Sequence, residues 1–172
     1  MTLQKKNTNE VLYRLDHDDE QDDVLLIAIK SNMPDYKMAY YLNKSLKLRL
    51  EKFLQEISLT TENGTNYFRH FKYKDQKNHL IWRLIENKSN YSIGLLEKTG
   101  MLFGGESDLF SATEYLLPEW KNIDFFLQVE NIDPYFEGEQ LQLQLENINN
   151  ISTHFVVDIT TLSIKSQKNL IF

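Results

Sequence analysis

Val24-Leu25-Leu26-Ile27-Ala28-Ile29 is an apolar run without the polar–apolar alternation of a half-buried strand. Such a run is typical of a strand that is covered on both faces, so we predict a central strand here. The segment Ser31-Asn32-Met33-Pro34-Asp35 follows and carries helix start signals, with Asn32 as the predicted cap. A helix is therefore predicted over about residues 35–47.

Alternation of apolar and polar residues predicts further strands. They are predicted in part of 48–57 and over 67–74, 79–86, 123–130 and 151–159. Polar turn residues join the strands at 67–74 and 79–86, which predicts an antiparallel hairpin.

One segment, Gln140-Leu141-Gln142-Leu143-Gln144-Leu145, fits two elements. Leu141, Leu145 and Ile148 share a helical face, whereas the strict Leu/Gln alternation fits a strand. We predict a helix, because Gln, Leu and Glu propagate helices well.

The predicted order is two strand–helix–strand units around a hairpin. It indicates an α+β fold: an antiparallel sheet with two helices on one face, in a ferredoxin-like βαβ-hairpin-βαβ arrangement. Residues 24–172 are predicted to form this one domain.

The negative charge of the chain is local. Its 172 residues have a net charge of −6. Six carboxylates lie in one run: Asp16, Asp18, Asp19, Glu20, Asp22 and Asp23. Without them the remaining acids equal the 19 Lys and Arg residues. We therefore predict a flexible acidic arm over residues 1–23 and a neutral body that does not bind duplex DNA.

Composition also limits the compartment. There is no cysteine, and therefore no disulfide framework. The sequence contains neither an apolar run long enough for a membrane helix nor a secretory signal at its N-terminus. A cytoplasmic protein without membrane contact is the expectation.

A short motif resembles a known signature. Leu117-Pro118-Glu119-Trp120-Lys121-Asn122-Ile123-Asp124-Phe125 is similar to the signature of the bacterial IPExxxVDY family. Pro118, Glu119 and Asp124 match, and Leu117, Ile123 and Phe125 replace Ile, Val and Tyr. Similar segments follow one another over about residues 16–172: the acidic run, 35–44, 102–107 and 169–172. The resemblance implies a cytoplasmic protein of Bacteroidota and no activity, cofactor or catalytic residue; Phe125 lacks the hydroxyl of the family's tyrosine.

Two places are candidates for contact with a partner. Met101, Leu102 and Phe103 form an apolar stretch inside the Gly-rich segment 87–118. Glu119 and Asp124 of the motif are the charged candidates, although both also suit capping or pairing near a strand start.

Residues with catalytic or metal-binding chemistry form no set at a known spacing. His70 and His79 flank the predicted hairpin turn near Asp75, but this spacing matches no metalloenzyme motif. Ser107 lies in neither a nucleophile elbow nor a phosphate loop. We expect no cofactor and no metal, and we favour a protein that is not an enzyme.

Three functions are consistent with these patterns. The first is a protein-interaction module that binds an unidentified protein or a second copy of itself as a homodimer. The second is a small-ligand-binding regulatory domain, by analogy of fold. The third is a binder of single-stranded RNA, because residues 67–74 interleave aromatic and basic side chains.

Overall fold

The structure, a computed structural model, describes residues 24–61, 64–89, 92–93 and 113–171. Four of the residues discussed above, together with the acidic arm at 1–23, lie outside them: Met101, Leu102, Phe103 and Ser107. In the part of the chain that is described, no helix is long and apolar enough to cross a membrane.

The described residues contain strands, three α-helices and two short 3₁₀ helices, which confirms the α+β fold class. The strands are β1 (Val24–Ser31), β2 (Glu51–Lys52), β3 (Ile57–Thr61), β4 (Gly64–Phe68), β5 (His70–Asp75), β6 (Leu80–Glu86), β7 (Lys88–Ser89), β8 (Ser92–Ile93), β9 (Glu114–Tyr115), β10 (Phe125–Glu130) and β11 (Ile151–Val156). The helices are α1 (Asp35–Leu46), α2 (Gly138–Glu146) and α3 (Ile164–Lys168), with 3₁₀ turns at Pro118–Trp120 and Ile159–Thr161.

The main sheet has six strands in the order β11-β1-β10-β6-β5-β2. Every neighbouring pair in it is antiparallel. The predicted central position of β1 is confirmed, because β10 and β11 pair with its two edges. The predicted hairpin is confirmed as β5 and β6. Smaller sheets combine β3-β4-β8 and β7-β9.

One face of the main sheet, which we call the helix face, is covered by α1 and α2. Its apolar core includes Ile27 of β1, Leu42 of α1 and Leu145 of α2. The segment that fitted two elements is a helix, as predicted: Leu141 and Leu145 are buried, whereas Leu143 is 53% exposed. In a strand these three side chains would share one face.

The start of α1 differs in detail from the prediction. Pro34 occupies the cap position and no side chain caps the helix, so the prediction of Asn32 as the cap is wrong. Asp35 instead accepts the backbone N–H of Tyr36 at 2.8 Å.

The opposite face of the main sheet, which we call the second face, is covered as well. Leu26, Ala28, Ile85 and Phe126 of this face are buried. They pack in one core with Phe68 and with residues of the 3₁₀ turns and the C-terminal segment, among them Leu117, Ile123, Leu162 and Leu170. The main sheet is therefore the middle of three layers. The prediction described only the layer formed by the helices.

The predicted strand at 67–74 is in fact two strands in different layers. β4 ends at Phe68 and belongs to the three-stranded sheet, and β5 begins at His70 in the main sheet. Arg69 lies at the crossing, where it pairs with Glu86 at 2.9 Å and with Asp35 at 3.2 Å. The aromatic–basic alternation continues through the crossing, so the pattern does not mark it.

Candidate functional site

A cavity of about 480 Å³ lies between the second face of the main sheet, β3 and the C-terminal segment. Its floor is formed by side chains of β5 and β6. Its lining consists of Phe53, Gln55, Glu56, Ile57, Ser58, Leu59, His70, Lys72, Arg83, Leu116, Lys168, Asn169 and Ile171. We call this space the interlayer cavity.

Strand alternation explains why basic side chains lie on its floor. Successive residues of a strand point to opposite faces of the sheet. Phe71 and Trp82 face the helices and belong to that core. Lys72 and Arg83, one residue further along each strand, are therefore on the second face, and the two are directly opposite each other in the β5–β6 register.

Arg83 is the deepest charge of the cavity, with only 4% of its surface exposed. Its guanidinium Nε donates to Oε1 of Glu130 at 2.6 Å, and its Nη2 lies 3.4 Å from Oε2. Glu130 ends β10, the strand next to β6. A buried charge is costly unless it is paired, so the ion pair with Glu130 helps to offset the cost of burying an arginine at this position.

His70 is also buried on the floor, and its ring centroid is 5.1 Å from that of Phe53. Burial, together with the positive charges of Arg83 and Lys72, lowers the pKa of His70 to about 4. His70 is therefore neutral at pH 7. It supplies an imidazole that can both donate and accept a hydrogen bond.

Lys72 is half-buried, and its Nζ lies 5.4 Å from the centre of the Phe53 ring. Burial lowers the pKa of Lys72, and the charges of Arg83 and Lys74 lower it further. The cations on this floor thus repel one another.

The C-terminal segment forms the opposite wall with Lys168, Asn169 and Ile171. It is held there because Asn169 Nδ2 donates to the carbonyl of Leu116 at 2.8 Å. Lys72, Arg83 and Lys168 thus line the cavity together, and Glu56 is the one carboxylate among its described lining residues. Among the described residues, the interlayer cavity is accordingly lined by more positive than negative charges, with a mixture of polar and apolar side chains around them.

Glu119, a predicted contact residue, lies outside this cavity. Ser166 Oγ lies 2.8 and 2.7 Å from the two carboxylate oxygens of Glu119, and the backbone N–H of Ser163 donates to one of them at 3.3 Å. Burial alone would raise the pKa of Glu119, but the hydrogen bonds from Ser166 and Ser163 bring it below its usual value. Glu119 thus fastens the 3₁₀ turn to the start of α3.

Asp124 holds a different part of the fold. Its carboxylate contacts Lys30 Nζ at 2.9 Å and Lys88 Nζ at 2.6 Å, and it accepts the backbone N–H of Ser31 at 3.0 Å. Burial opposes ionisation, but hydrogen bonds from Lys88 and Lys30 lower the pKa of Asp124. Glu119 and Asp124 share none of these partners, so the structure does not join them in one site. Their role in partner contact stays a prediction.

Asn87 holds the motif in place, and the sequence analysis did not single it out. It is fully buried. Its Nδ2 donates to the carbonyls of Trp120 at 2.8 Å and Ile123 at 3.0 Å, and its Oδ1 accepts the N–H of Leu117 at 2.9 Å. The segment resembling a family signature is therefore shaped by one buried amide. No sequence signal points to Asn87.

The two histidines near the hairpin are not brought together. His79 is in the turn, whereas His70 pairs with Ile85 at the far end of the hairpin. Asp75 accepts the backbone N–H groups of Lys77 and Asn78 and so shapes the turn. Among the residues that the structure describes, no group of three or more His, Cys, Asp or Glu side chains could hold a metal ion.

Comparison with known proteins gives no relative for this chain. No family model matches it, and neither the curated proteins nor the solved structures include a significant match. The resemblance to the IPExxxVDY signature stays a prediction, and the function has to be argued from the geometry.

Proposed function

We propose that this protein is a binding domain for a small molecule, with its site in the interlayer cavity. The observation that supports this is a cavity of about 480 Å³ with the buried Arg83 on its floor. Ligand sites in proteins are typically concave, largely apolar spaces of a few hundred Å³ with a few polar groups that orient the ligand.

The character of the floor favours a site over a packing defect. Protein interiors are close-packed, and spaces between layers are normally filled by apolar side chains. The second face is filled in this way around Phe126 and Ile85, but at the cavity it carries His70, Lys72 and Arg83. Keeping charges where Leu or Phe would pack costs stability, so a binding role accounts for their presence.

The strand order supports a ferredoxin-like core, which we also propose. β10 lies between β1 and β6, and β1 lies between β10 and β11. The unit β10–α2–β11 is thus a split βαβ unit, with β1 between the two strands that flank its helix. β10 lies between β1 and β6 in the same way, although β2 to β5 separate α1 from β6 along the chain. A regulatory role for such a ligand domain is an analogy of fold alone.

A fragment screen read out by thermal shift tests ligand binding, with a blocked cavity as the control. Ser58 lines the cavity and Thr60 does not, although both are exposed residues of β3. Ser58→Trp should therefore obstruct the cavity, and Thr60→Trp is the matched control. We expect compounds that raise the Tm of the wild type and of Thr60→Trp but not of Ser58→Trp, because ligand binding stabilises only the state that binds. Compounds that stabilise all three proteins equally would argue against this site.

An edge strand favours a second candidate, the interaction module as a homodimer. One edge of the main sheet is β2, which has two charged residues, Glu51 and Lys52. The other edge is β11, six residues long, without a charge or a proline. Natural proteins protect sheet edges by shortness, charge or proline, so an unprotected edge is suited to pairing with a strand. We propose a second copy of β11 as that strand.

Val156→Lys tests the homodimer, because Val156 is 44% exposed on β11 and a lysine there protects the edge. Light scattering should give a dimer for the wild type and a monomer for Val156→Lys. A monomeric wild type at every concentration would contradict the dimer. The same measurement on a chain without residues 1–23 would show whether the predicted acidic arm contributes.

A cytoplasmic location and membership of the IPExxxVDY family rest on the sequence alone. The RNA hypothesis requires exposed rings in residues 67–74, but Phe68 and Phe71 are buried. Tyr67 and Tyr73 are half-buried, so these are the rings that could stack on RNA bases. Their substitution should weaken the binding of single-stranded RNA at low salt if the hypothesis is correct.

A further inference from the structure

We propose that the ligand of the interlayer cavity is a small anion, a carboxylate or phosphate group on a compact apolar body. This inference rests on the proposed function and specifies its ligand class. Lys72, Arg83 and Lys168 all line the interlayer cavity, and this placement supports the inference.

The three cations come from two walls of the cavity. Lys72 and Arg83 are paired positions of β5 and β6, and Lys168 is the last residue of α3 on the opposite wall. Such convergence surrounds a bound group with charges of one sign from more than one direction. This arrangement favours an anion and disfavours a cation.

Among the described residues that line the cavity, the balance of charge stays positive after the ion pair of Arg83 and Glu130 is counted. Glu130 neutralises Arg83 across 2.6 Å, which leaves Lys72 and Lys168 opposed by Glu56. Glu56 and Lys168 are both exposed, whereas Lys72 is half-buried. The depressed pKa of Lys72 has the same origin, since burial and the charge of Arg83 both disfavour its protonated form. A bound anion would relieve that repulsion.

The other lining residues define the remainder of the ligand. Phe53 and Leu59 give apolar surface, and the neutral ring of His70 lies beside Phe53. The cavity therefore suits a compact apolar or aromatic group that carries the anionic head. The acid could be carboxylate or phosphate, because lysine binds both as a point charge.

Titration calorimetry on the full chain separates the two head groups and the role of charge. The probes are benzoate, phenyl phosphate, inorganic phosphate and benzamide, which is the neutral counterpart of benzoate. We expect benzoate or phenyl phosphate to bind, benzamide to bind far more weakly, and affinity to fall as salt rises. Inorganic phosphate binding as tightly as phenyl phosphate would show that only the head group is recognised and would overturn the apolar part of the proposal.

Lys72→Gln is the decisive variant, and Lys74→Gln is its matched control. Lys74 lies two residues along the same strand, is exposed and does not line the cavity. We expect about tenfold weaker benzoate or phenyl phosphate binding in Lys72→Gln and in Lys168→Gln, with little change in Lys74→Gln. If all three variants bind benzoate or phenyl phosphate with equal affinity, Lys72 and Lys168 do not bind the anion and the proposal is wrong.

Two binding results distinguish an incorrect ligand class from the absence of a ligand site in the cavity. Neutral compounds that bind the wild type and are blocked by Ser58→Trp would refute the anion while leaving a ligand site in the cavity. If neither charged nor neutral compounds bind in a manner that Ser58→Trp blocks, both proposals fail.

Discussion

The two faces of the main sheet are built from alternate residues of the same strands, yet they differ in composition. On the helix face β10 contributes Phe125, Leu127 and Val129, all of them buried and apolar. On the second face the same strand contributes Phe126, Gln128 and Glu130, which change from apolar to charged along its length. One face is uniformly a core, whereas the other is a core at one end and a candidate site at the other.

This difference shows which part of the sheet can carry buried charged side chains. A face that holds the helices in place must be apolar along its whole length, because each lost contact loosens a layer. The second face is closed by short segments around Phe126, so its far end can carry Arg83 without opening the fold. Substitutions on the two faces test this division, beginning with the largest expected effect.

Leu127→Ala on the helix face should lower the free energy of unfolding by about 4 kcal/mol, because it leaves a cavity under two helices. Leu127 is fully buried. Urea denaturation measures the loss. Leu143→Ala on the exposed side of α2 is the control and should cost less than about 1 kcal/mol. Similar costs for the two variants would mean that the helix face is not a packed core.

Glu130→Ala on the second face should cost about 3 kcal/mol, since it removes a carboxylate that lies 2.6 Å from the buried guanidinium of Arg83. The double variant Arg83→Met/Glu130→Leu removes both charges and should recover most of that stability. Chemical denaturation of the two variants checks this. If the double variant is as unstable as Glu130→Ala, the loss comes from missing side-chain packing and not from a buried charge. The second face would then not differ from the helix face in the way described.

His70 should make stability depend on pH. Its folded pKa of about 4 lies below the ordinary value of 6.5, so the unfolded chain takes up a proton first as pH falls. The free energy of unfolding contributed by this residue is therefore complete above pH 6.5 and is lost as pH falls from about 6.5 to about 4. Urea denaturation at pH 7 and pH 5 should show a larger loss in the wild type than in His70→Gln. Equal losses would place His70 in contact with water.

Gln128→Leu should change stability by less than about 1 kcal/mol, the smallest effect of this series. Gln128 is buried and its Nε2 donates to the Leu170 carbonyl over 3.3 Å, but its Oε1 has no hydrogen-bond partner among the described residues. Removing a poorly satisfied amide therefore costs little. A loss of more than about 2 kcal/mol would indicate that the polar end of the second face is as tightly packed as the helix face.

The sequence predicted the elements whose residues carry their own periodicity. β1 is continuous and apolar, α1 and α2 repeat with helical spacing, and the hairpin of β5 and β6 alternates around polar turn residues. Each of these signals is local to its element. For that reason they did not require knowledge of what covers the second face.

The layer crossing and the cavity could not be predicted in the same way. The alternation of residues 67–74 continues through Arg69, where the chain changes layer. The walls of the cavity come from β3, β5, β6 and α3, which are distant in sequence. One signal was available: Arg83 is a lone charge between Trp82 and Leu84, and a charge in an apolar strand requires a partner or a ligand.

The central position of β1 has a consequence for synthesis of the protein. Residues 24–31 leave the ribosome well before the two strands that pair with them, because β10 and β11 begin at Phe125 and Ile151. At roughly 5–20 residues per second, the apolar run waits on the order of 5–25 seconds without a partner strand. During that interval it is an unpaired apolar segment that a chaperone could bind, and folding of the main sheet can finish only after translation has passed β11.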